Sequence, residues 1–314
     1  MFGNSNARTW AVIDWAMAVY STYLALILLW TRSIPEWPIL VLLHVGFIIF
    51  LWVLPPRGRP WEDWREESTW RMAIRRSFVF LRYMYPLIPA LLFFEEGRLI
   101  VNAIFPETPY WFEPYLYAAD HWIFGNHPSI VLLPFLSWPL NELMHFFYFS
   151  YFVLIIGGPL FGRFPSPGAL DQEVRLNRPE FDAALSCMIL GFFCSFVLYP
   201  WLAARGPFEN VELISSLPPL EGGPFTFLAR WITDGAAVSG NCFPSGHVSG
   251  TWGITFGFMA YNRRAGWLLV PLAVGISISC VYTRYHHAVD VPAGFLMGVL
   301  GTAIYFVVKR RLGG

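Results

Sequence analysis

The run AGWLLVPLAVGISISCVYT-RYHHAVD-VPAGFLMGVLGTAIYFVV, residues 265–308, decides the fold. Its two outer stretches, 265–283 and 291–308, carry no charge, and the short segment between them holds Arg284, His286, His287 and Asp290. A helix rising about 1.5 Å per residue needs roughly 17 to 25 apolar residues to cross the hydrocarbon layer. The run therefore reads as two membrane helices joined by a polar turn at one face. Working outward, further runs of this kind lie near 10–30, 36–54, 78–94, 142–161, 182–203 and 247–262. The expected fold is an all-α integral membrane bundle of about eight transmembrane helices. The first run lacks a basic leader and a small-residue cleavage site, so it reads as a retained helix.

Composition agrees. The 314 residues are 56% hydrophobic, 18% aromatic and only 13% charged, too few charges for a soluble domain. Basic and acidic residues balance at 21 each, with Lys309 the only lysine, which argues against nucleic acid as a partner. Cys187, Cys194, Cys242 and Cys280 form no CxxC pair and read as packing residues, not as a disulfide framework or zinc site.

Arginine placement orients the chain, because basic flanks resist translocation. Arg8, Arg57, Arg59, Arg65, Arg71, Arg75, Arg76, Arg163, Arg175, Arg178, Arg263, Arg264, Lys309, Arg310 and Arg311 fall on one side; Arg32, Arg98, Arg205, Arg230 and Arg284 fall on the other. Eight spans with both termini cytoplasmic satisfy every loop. The long connections 95–141 and 204–246 and the turn at 284–290 then face away from the cytoplasm, and function is sought there. An apolar segment at 129–138 is too short to span and suits a helix lying in the interface.

Two polar segments on that face immediately precede apolar spans: Asn241 to His247 and Tyr282 to Asp290. Pro244 and Pro292 mark helix starts, since proline is tolerated in a first turn. A helix N-terminus offers unpaired N–H groups and a partial positive charge, which suit phosphate. Gly246 lets an oxyanion approach the backbone, Ser245 can cap the helix or donate to the anion, and Arg284 and Arg205 add planar donor forks. His286, with Asp290 four residues on and His247 facing it, supplies a nucleophile and an acid.

Pro244-Ser245-Gly246-His247, with His286 and Asp290 separated by three residues, resembles the second and third signatures of the type 2 phosphatidic acid phosphatase superfamily. The resemblance implies a six-helix core in which His286 attacks phosphorus to give a phosphohistidine, Asp290 orients it, and His247 protonates the leaving group. It implies no metal and no cofactor. That core is expected at 77–314, with 1–76 a two-helix N-terminal extension carrying an Arg-rich cytoplasmic loop. The superfamily's phosphatase pattern has an Arg where this chain has Cys280, and its first signature begins with a Lys that is missing here. The tandem Arg284, Tyr285, His286, His287, the earlier stretch from Asp120 to Gly125, and Arg205-Gly206-Pro207 look more like the inositol-phosphorylceramide synthase branch. The resemblance thus leans to transfer of a phosphorylated head group from a membrane lipid to a lipid or polyol acceptor, at the periplasmic face of a bacterial inner membrane. Hydrolysis of phosphatidic acid or a prenyl pyrophosphate is the alternative.

Other readings of the same residues stay open. His247, His286, His287 and Asp290 are also zinc-ligand types, though the resemblance argues against a metal. Ser245 could serve as the nucleophile with His286 as base. His287, next to His286, is either a second ligand or, more simply, an interfacial residue. Asp14 and His44, polar groups inside spans, are what a transporter would need. Glu142 and His145, one turn apart, either face the site or satisfy each other.

Overall fold

The structure is a computed structural model that describes residues 10–32, 34–54, 69–107, 109–161, 179–236 and 240–312. In chain order the helices are α1 (Val12–Thr31), α2 (Trp37–Val53), α3 (Thr69–Met84), α4 (Leu87–Ile104), α5 (Glu113–Phe124), α6 (Pro128–Val131), α7 (Trp138–Phe161), α8 (Pro179–Phe196), α9 (Val211–Ser215), α10 (Pro224–Ala236), α11 (Gly246–Tyr261), α12 (Arg263–Tyr282) and α13 (Asp290–Arg311). No strand occurs among the described residues; a single parallel bridge joins Ala204 to Asn241. The chain is an all-helical membrane bundle.

Five described helices, α1, α7, α8, α12 and α13, are long and apolar enough to cross a membrane. Apolar α2 is shorter, at 17 residues, and α11 has 16. The span expected at 78–94 is divided: α3 ends at Met84 and α4 starts at Leu87, with Pro86 at the N-cap of α4. Pro86 has no N–H to extend the preceding helix. The expected interfacial helix at 129–138 is one turn of α6 followed by a 3-10 turn at Leu133–Phe135. The arginines of 55–68 and 162–178, which carry much of the orientation argument, lie outside the described residues.

The core is the contact of α8, α11 and α13, where glycines let backbones meet. A Cβ on Gly257 would stand 2.6 Å from the Ala183 carbonyl oxygen, and one on Gly191 or Gly298 would stand 2.6 or 2.8 Å from that of Ser249. Small residues at such crossings are how membrane helices gain dispersion contacts in lipid, where burial supplies no drive. Helix α1 packs on α2, α4 and α8.

Buried polar groups inside the bundle find partners. Asp14 takes both terminal nitrogens of Arg82, at 3.0 and 2.7 Å, and the Tyr85 hydroxyl at 2.6 Å. His44 lies between Ser21 (2.8 Å) and Glu96 (2.9 Å). Neither Asp14 nor His44 lines the cavity that His247 and His286 enter. Glu142 and His145 follow neither expected reading. The Glu142 carboxylate accepts from Gly223 N, Phe225 N and Thr226 N at the start of α10, while His145 Nδ1 donates to the Asn141 carbonyl.

Candidate active site

The site is assembled where α11 and α13 begin and α12 ends. Helix α12 closes in a Schellman turn. Arg284 N donates to Val281 O, and Tyr285 N and His286 N both donate to Cys280 O. The residue in the left-handed position is Arg284, at φ 69°. A non-glycine residue there costs about 1 kcal/mol, and the turn it makes delivers His286 to the start of α11. Ser245 caps α11 by accepting from Val248 N, and Ser245 N reaches Asp290 O at 3.4 Å, so the two helix starts are tied together.

His286 is 6% exposed and Asp290 fully buried. His286 Nδ1 stands 3.0 Å from Asp290 Oδ2. A carboxylate accepts only, so Nδ1 carries the proton and Nε2 is left with its lone pair. Nε2 faces Ser245 Oγ and His247 Nδ1, each at 3.2 Å. His247 Nε2 in turn meets the Tyr148 hydroxyl at 3.1 Å. One proton assignment satisfies the chain: Tyr148 O–H donates to His247 Nε2, His247 Nδ1–H to His286 Nε2, and His286 Nδ1–H to Asp290. Asp290 Oδ2 also accepts from His287 N (3.0 Å) and from the Cys242 thiol (2.9 Å). Burial, reinforced by Asp290, pushes the Cys242 thiol up, so it stays protonated and donates.

His286, His247, Gly246 and Cys242 lie at one end of a cavity of about 260 Å³, whose walls are largely apolar: Phe94, Tyr148, Tyr151, Phe152, Ile155, Phe192 and Phe196 among them. The His247 ring sits among Tyr148, Tyr151 and Phe152, with centroids 5.0, 4.3 and 6.2 Å away. Such a chamber accepts hydrocarbon, with a polar, histidine-bearing end for the group to which it is attached.

Five of the seven expected site residues thus converge: His286, His247, Asp290, Ser245 and Gly246. The space beside Gly246 is taken by protein, since a Cβ there would meet the Tyr199 hydroxyl at 2.9 Å. Arg205 is held by Glu113 through Nε and Nη2, at 3.0 and 3.1 Å, a pairing that raises its pKa. Arg284 is 5% exposed, burial lowers its pKa, and its Nη2 has no partner among the described residues. Neither arginine lines the cavity.

Sequence reading missed Tyr148 and gave Cys242 and His287 simpler roles than the structure does. Cys242, read as packing, bonds to Asp290. Tyr148 reaches His247 from a helix a hundred residues upstream with no local signal. His287, read as interfacial, is fully buried beside Asp120, whose carboxylate accepts from Ala288 N and Val289 N at 3.1 Å each.

Residues 208–313 match the family model of the PAP2 superfamily. Over 72 residues, 23% of the chain, it is 36% identical to the bacitracin transport permease protein BcrC of Bacillus licheniformis. That match covers 36% of the relative, so the chain spans about a third of its length. No solved structure matches. The inositol-phosphorylceramide synthase branch is matched by neither comparison.

Proposed function

We propose that this chain is a membrane phosphatase that cleaves the phosphoester or phosphoanhydride of a lipid phosphate through a phosphohistidine on His286. The observation that carries the proposal is the unprotonated Nε2 of His286, set by the Nδ1–H to Asp290 and faced by the donors Ser245 and His247 in the wall of an apolar cavity. The match of 208–313 to the PAP2 superfamily supports the same chemistry.

In the first step the Nε2 lone pair forms a bond to phosphorus and the bond to the leaving oxygen breaks. That oxygen takes the Nδ1 proton of a doubly protonated His247, which then keeps Nε2–H and donates it to the Tyr148 oxygen. As the ring of His286 becomes cationic, Asp290 offsets its charge. In the second step water gives a proton to His247 Nδ1 and attacks phosphorus, and the N–P bond breaks to release phosphate. Ser245 and His247, which face Nε2 now, would turn their donors to the phosphate oxygens when phosphorus takes that place. One residue must be neutral and the other protonated, so the rate should be bell-shaped in pH.

Transfer to an alcohol acceptor is the second reading. It retains one observation: the Asp120 segment, which carries the resemblance to inositol-phosphorylceramide synthases, is hydrogen-bonded directly to the catalytic turn. Arginine placement supports a site on the non-cytoplasmic face with both termini inside. We further propose 77–314 as the catalytic core and 1–76 as an addition; α3 runs across 76–77. Transport, suggested by the relative's name, has less support, because the cavity is lined by His247 and by His286, whose Nδ1 is held by a buried Asp290.

Labelled phosphatidic acid, prenyl pyrophosphate and phosphatidylinositol, each with and without ceramide or diacylglycerol, separate these readings in detergent-purified protein. Acceptor-independent release of phosphate that vanishes in His286→Ala supports the phosphatase. Product formed only with an acceptor supports transfer. Turnover retained in His286→Ala removes the phosphohistidine.

A further inference from the structure

The cavity that His286 and His247 enter has two walls of the same design. Leu87, Ala90, Leu91, Phe94 and Glu95 line it from α4, and Tyr148, Tyr151, Phe152, Ile155 and Ile156 line it from α7. Each set follows the i, i+3, i+4, i+7, i+8 spacing of a single helix face. Both helices pack on α8, whose Ile189, Phe192 and Phe196 form the floor between them. Tyr148 marks the polar end by its bond to His247, and the Phe94 carbonyl, which accepts from Asn241 Nδ2, sets the α4 wall beside it. From Glu95 back to Leu87, and from Tyr148 on to Ile156, the walls run about 12 Å at a helical rise of about 1.5 Å per residue. Away from the histidines this cleft is open to the side, because Leu91 is 57% and Ile156 58% exposed. Ile156 belongs to a helix long and apolar enough to cross a membrane, so the opening meets hydrocarbon.

The first two helices hold α4 at both ends of this lining stripe. Just before Leu87, Asp14 of α1 takes Arg82 and the Tyr85 hydroxyl. Just after Glu95, His44 of α2 takes Glu96 and is itself held by Ser21 of α1. Between the two clamps Phe93, which does not line the cavity, packs on Tyr20 of α1 and Phe47 of α2, with centroids 5.6 and 5.8 Å away. Asp14, Arg82, His44 and Glu96 are all buried, and the chemistry at His286 uses none of them. Ionisable groups at this depth are rare and costly, so their pairing calls for a role. Hydrogen bonds between membrane helices are directional, and fix a helix in place where dispersion contacts alone let it slide.

We propose that the hydrocarbon chain of the lipid phosphate enters sideways from the bilayer between α4 and α7, and that α1 and α2, through Asp14 and His44, hold α4 where it admits that chain. Resting on the phosphohistidine reading, this route makes the substrate a lipid that stays in the membrane throughout. Moving an apolar chain from lipid into water costs free energy with every methylene. A chain longer than the cleft therefore needs a side opening, through which its remainder stays in the hydrocarbon layer. Leu91 and Ile156 flank the chain at that opening. Asp14 and His44 are positioning residues: they touch no substrate and act through α4. A substrate with a chain of only a few carbons does not extend past the opening, so it depends far less on where α4 stands.

Two substrate pairs that differ in chain alone test the route in full-length protein: dimethylallyl against long-chain prenyl pyrophosphate, and dibutyryl against dioleoyl phosphatidic acid. Leu91→Trp combined with Ile156→Trp narrows the opening from two exposed positions, and should lower the ratio of kcat/KM for long over short chain at least about tenfold. His44→Leu removes both bonds of His44, and Asp14→Leu combined with Arg82→Leu removes both charges at once. Each should lower the same ratio about threefold, while Glu96→Gln, which offers His44 a donor and an acceptor, should retain it. Photolabelling gives a readout independent of turnover. Long-chain phosphatidic acid and prenyl pyrophosphate carrying a diazirine in the chain, irradiated with wild-type and His286→Ala protein in lipid nanodiscs, should modify residues 87–95 and 152–156. Adducts absent from both segments, or confined to the separate apolar cleft lined by Val274, Ile278 and Phe295, would overturn the route. So would an unchanged ratio in the Leu91→Trp, Ile156→Trp protein. A ratio unchanged in folded His44→Leu and Asp14→Leu, Arg82→Leu proteins would overturn the role of α1 and α2. If wild-type protein turns over neither chain length while α4 and α7 are still labelled, the phosphatase reading fails and the lipid route is supported.

Discussion

Asp290→Asn isolates the charge behind His286 with little change of shape. Three donors converge on Asp290 Oδ2: His286 Nδ1, His287 N and the Cys242 thiol. Oδ1 has no partner among the described residues. An asparagine that places its oxygen at Oδ2 keeps all three bonds and puts its NH₂ where nothing was bound, so the fold should survive. What disappears is the negative charge that faces the ring as it becomes cationic on phosphorylation. Two unit charges about 4 Å apart interact by roughly 4 kcal/mol at an effective dielectric constant near 20. The transition state carries part of that charge, so the loss should be about 3 kcal/mol, a fall in kcat of about 10² to 10³ with KM little changed. Single turnovers with labelled lipid phosphate, quenched in alkaline detergent, should show slower formation of the acid-labile phosphoenzyme. A variant that melts like the wild type and turns over within tenfold of it would refute the assignment of Asp290 as the partner of the nucleophile.

Tyr148→Phe removes the hydrogen-bond partner of His247 Nε2, the acceptor of its N–H when His247 acts as the acid; a net hydrogen bond of about 1–1.5 kcal/mol predicts a fivefold to tenfold lower kcat, and an unchanged rate would detach Tyr148 from the acid. Ser245→Ala should retain measurable turnover, because Ser245 only donates toward Nε2 and caps α11, whereas complete loss with the fold intact would favour Ser245 as the nucleophile. Arg284→Gly relieves the left-handed backbone at φ 69° and should raise thermal stability by up to about 1 kcal/mol, while kcat/KM for the lipid phosphate should change little, because the guanidinium does not line the cavity. Gly257→Ala forces α8 from α11 at the 2.6 Å approach to Ala183 O and should cost about 1–3 kcal/mol, read as a lower melting temperature in detergent.

What the sequence made legible was periodic or punctuated. Apolar runs locate α1, α2, α7, α8, α12 and α13, because a membrane helix must be apolar over most of its length whatever it packs against. Prolines at 244 and 292 locate two helix starts, and those starts bring His247, Ser245, His286 and Asp290 together because they are adjacent to the helices that carry them. The break at Tyr85–Pro86 was missed since the apolar count runs through it, although the proline itself was the signal.

Side-chain pairing across long separations left no such trace. Arg205 and Arg284 have the same chemistry in the sequence, yet Glu113, ninety-two residues from Arg205, engages one of them bidentately while the other keeps a free nitrogen. Counting cations near a helix start therefore overstates the phosphate clamp: of the two, Arg284 is the one with donor capacity unspent. Cys242 shows the converse. A thiol in an apolar setting reads as packing, and only its 2.9 Å approach to Asp290 shows that it supplies one of the three donors that fix the carboxylate. The same carboxylate orients the ring of His286, so the geometry of the nucleophile depends on a residue whose type alone gave no reason to single it out.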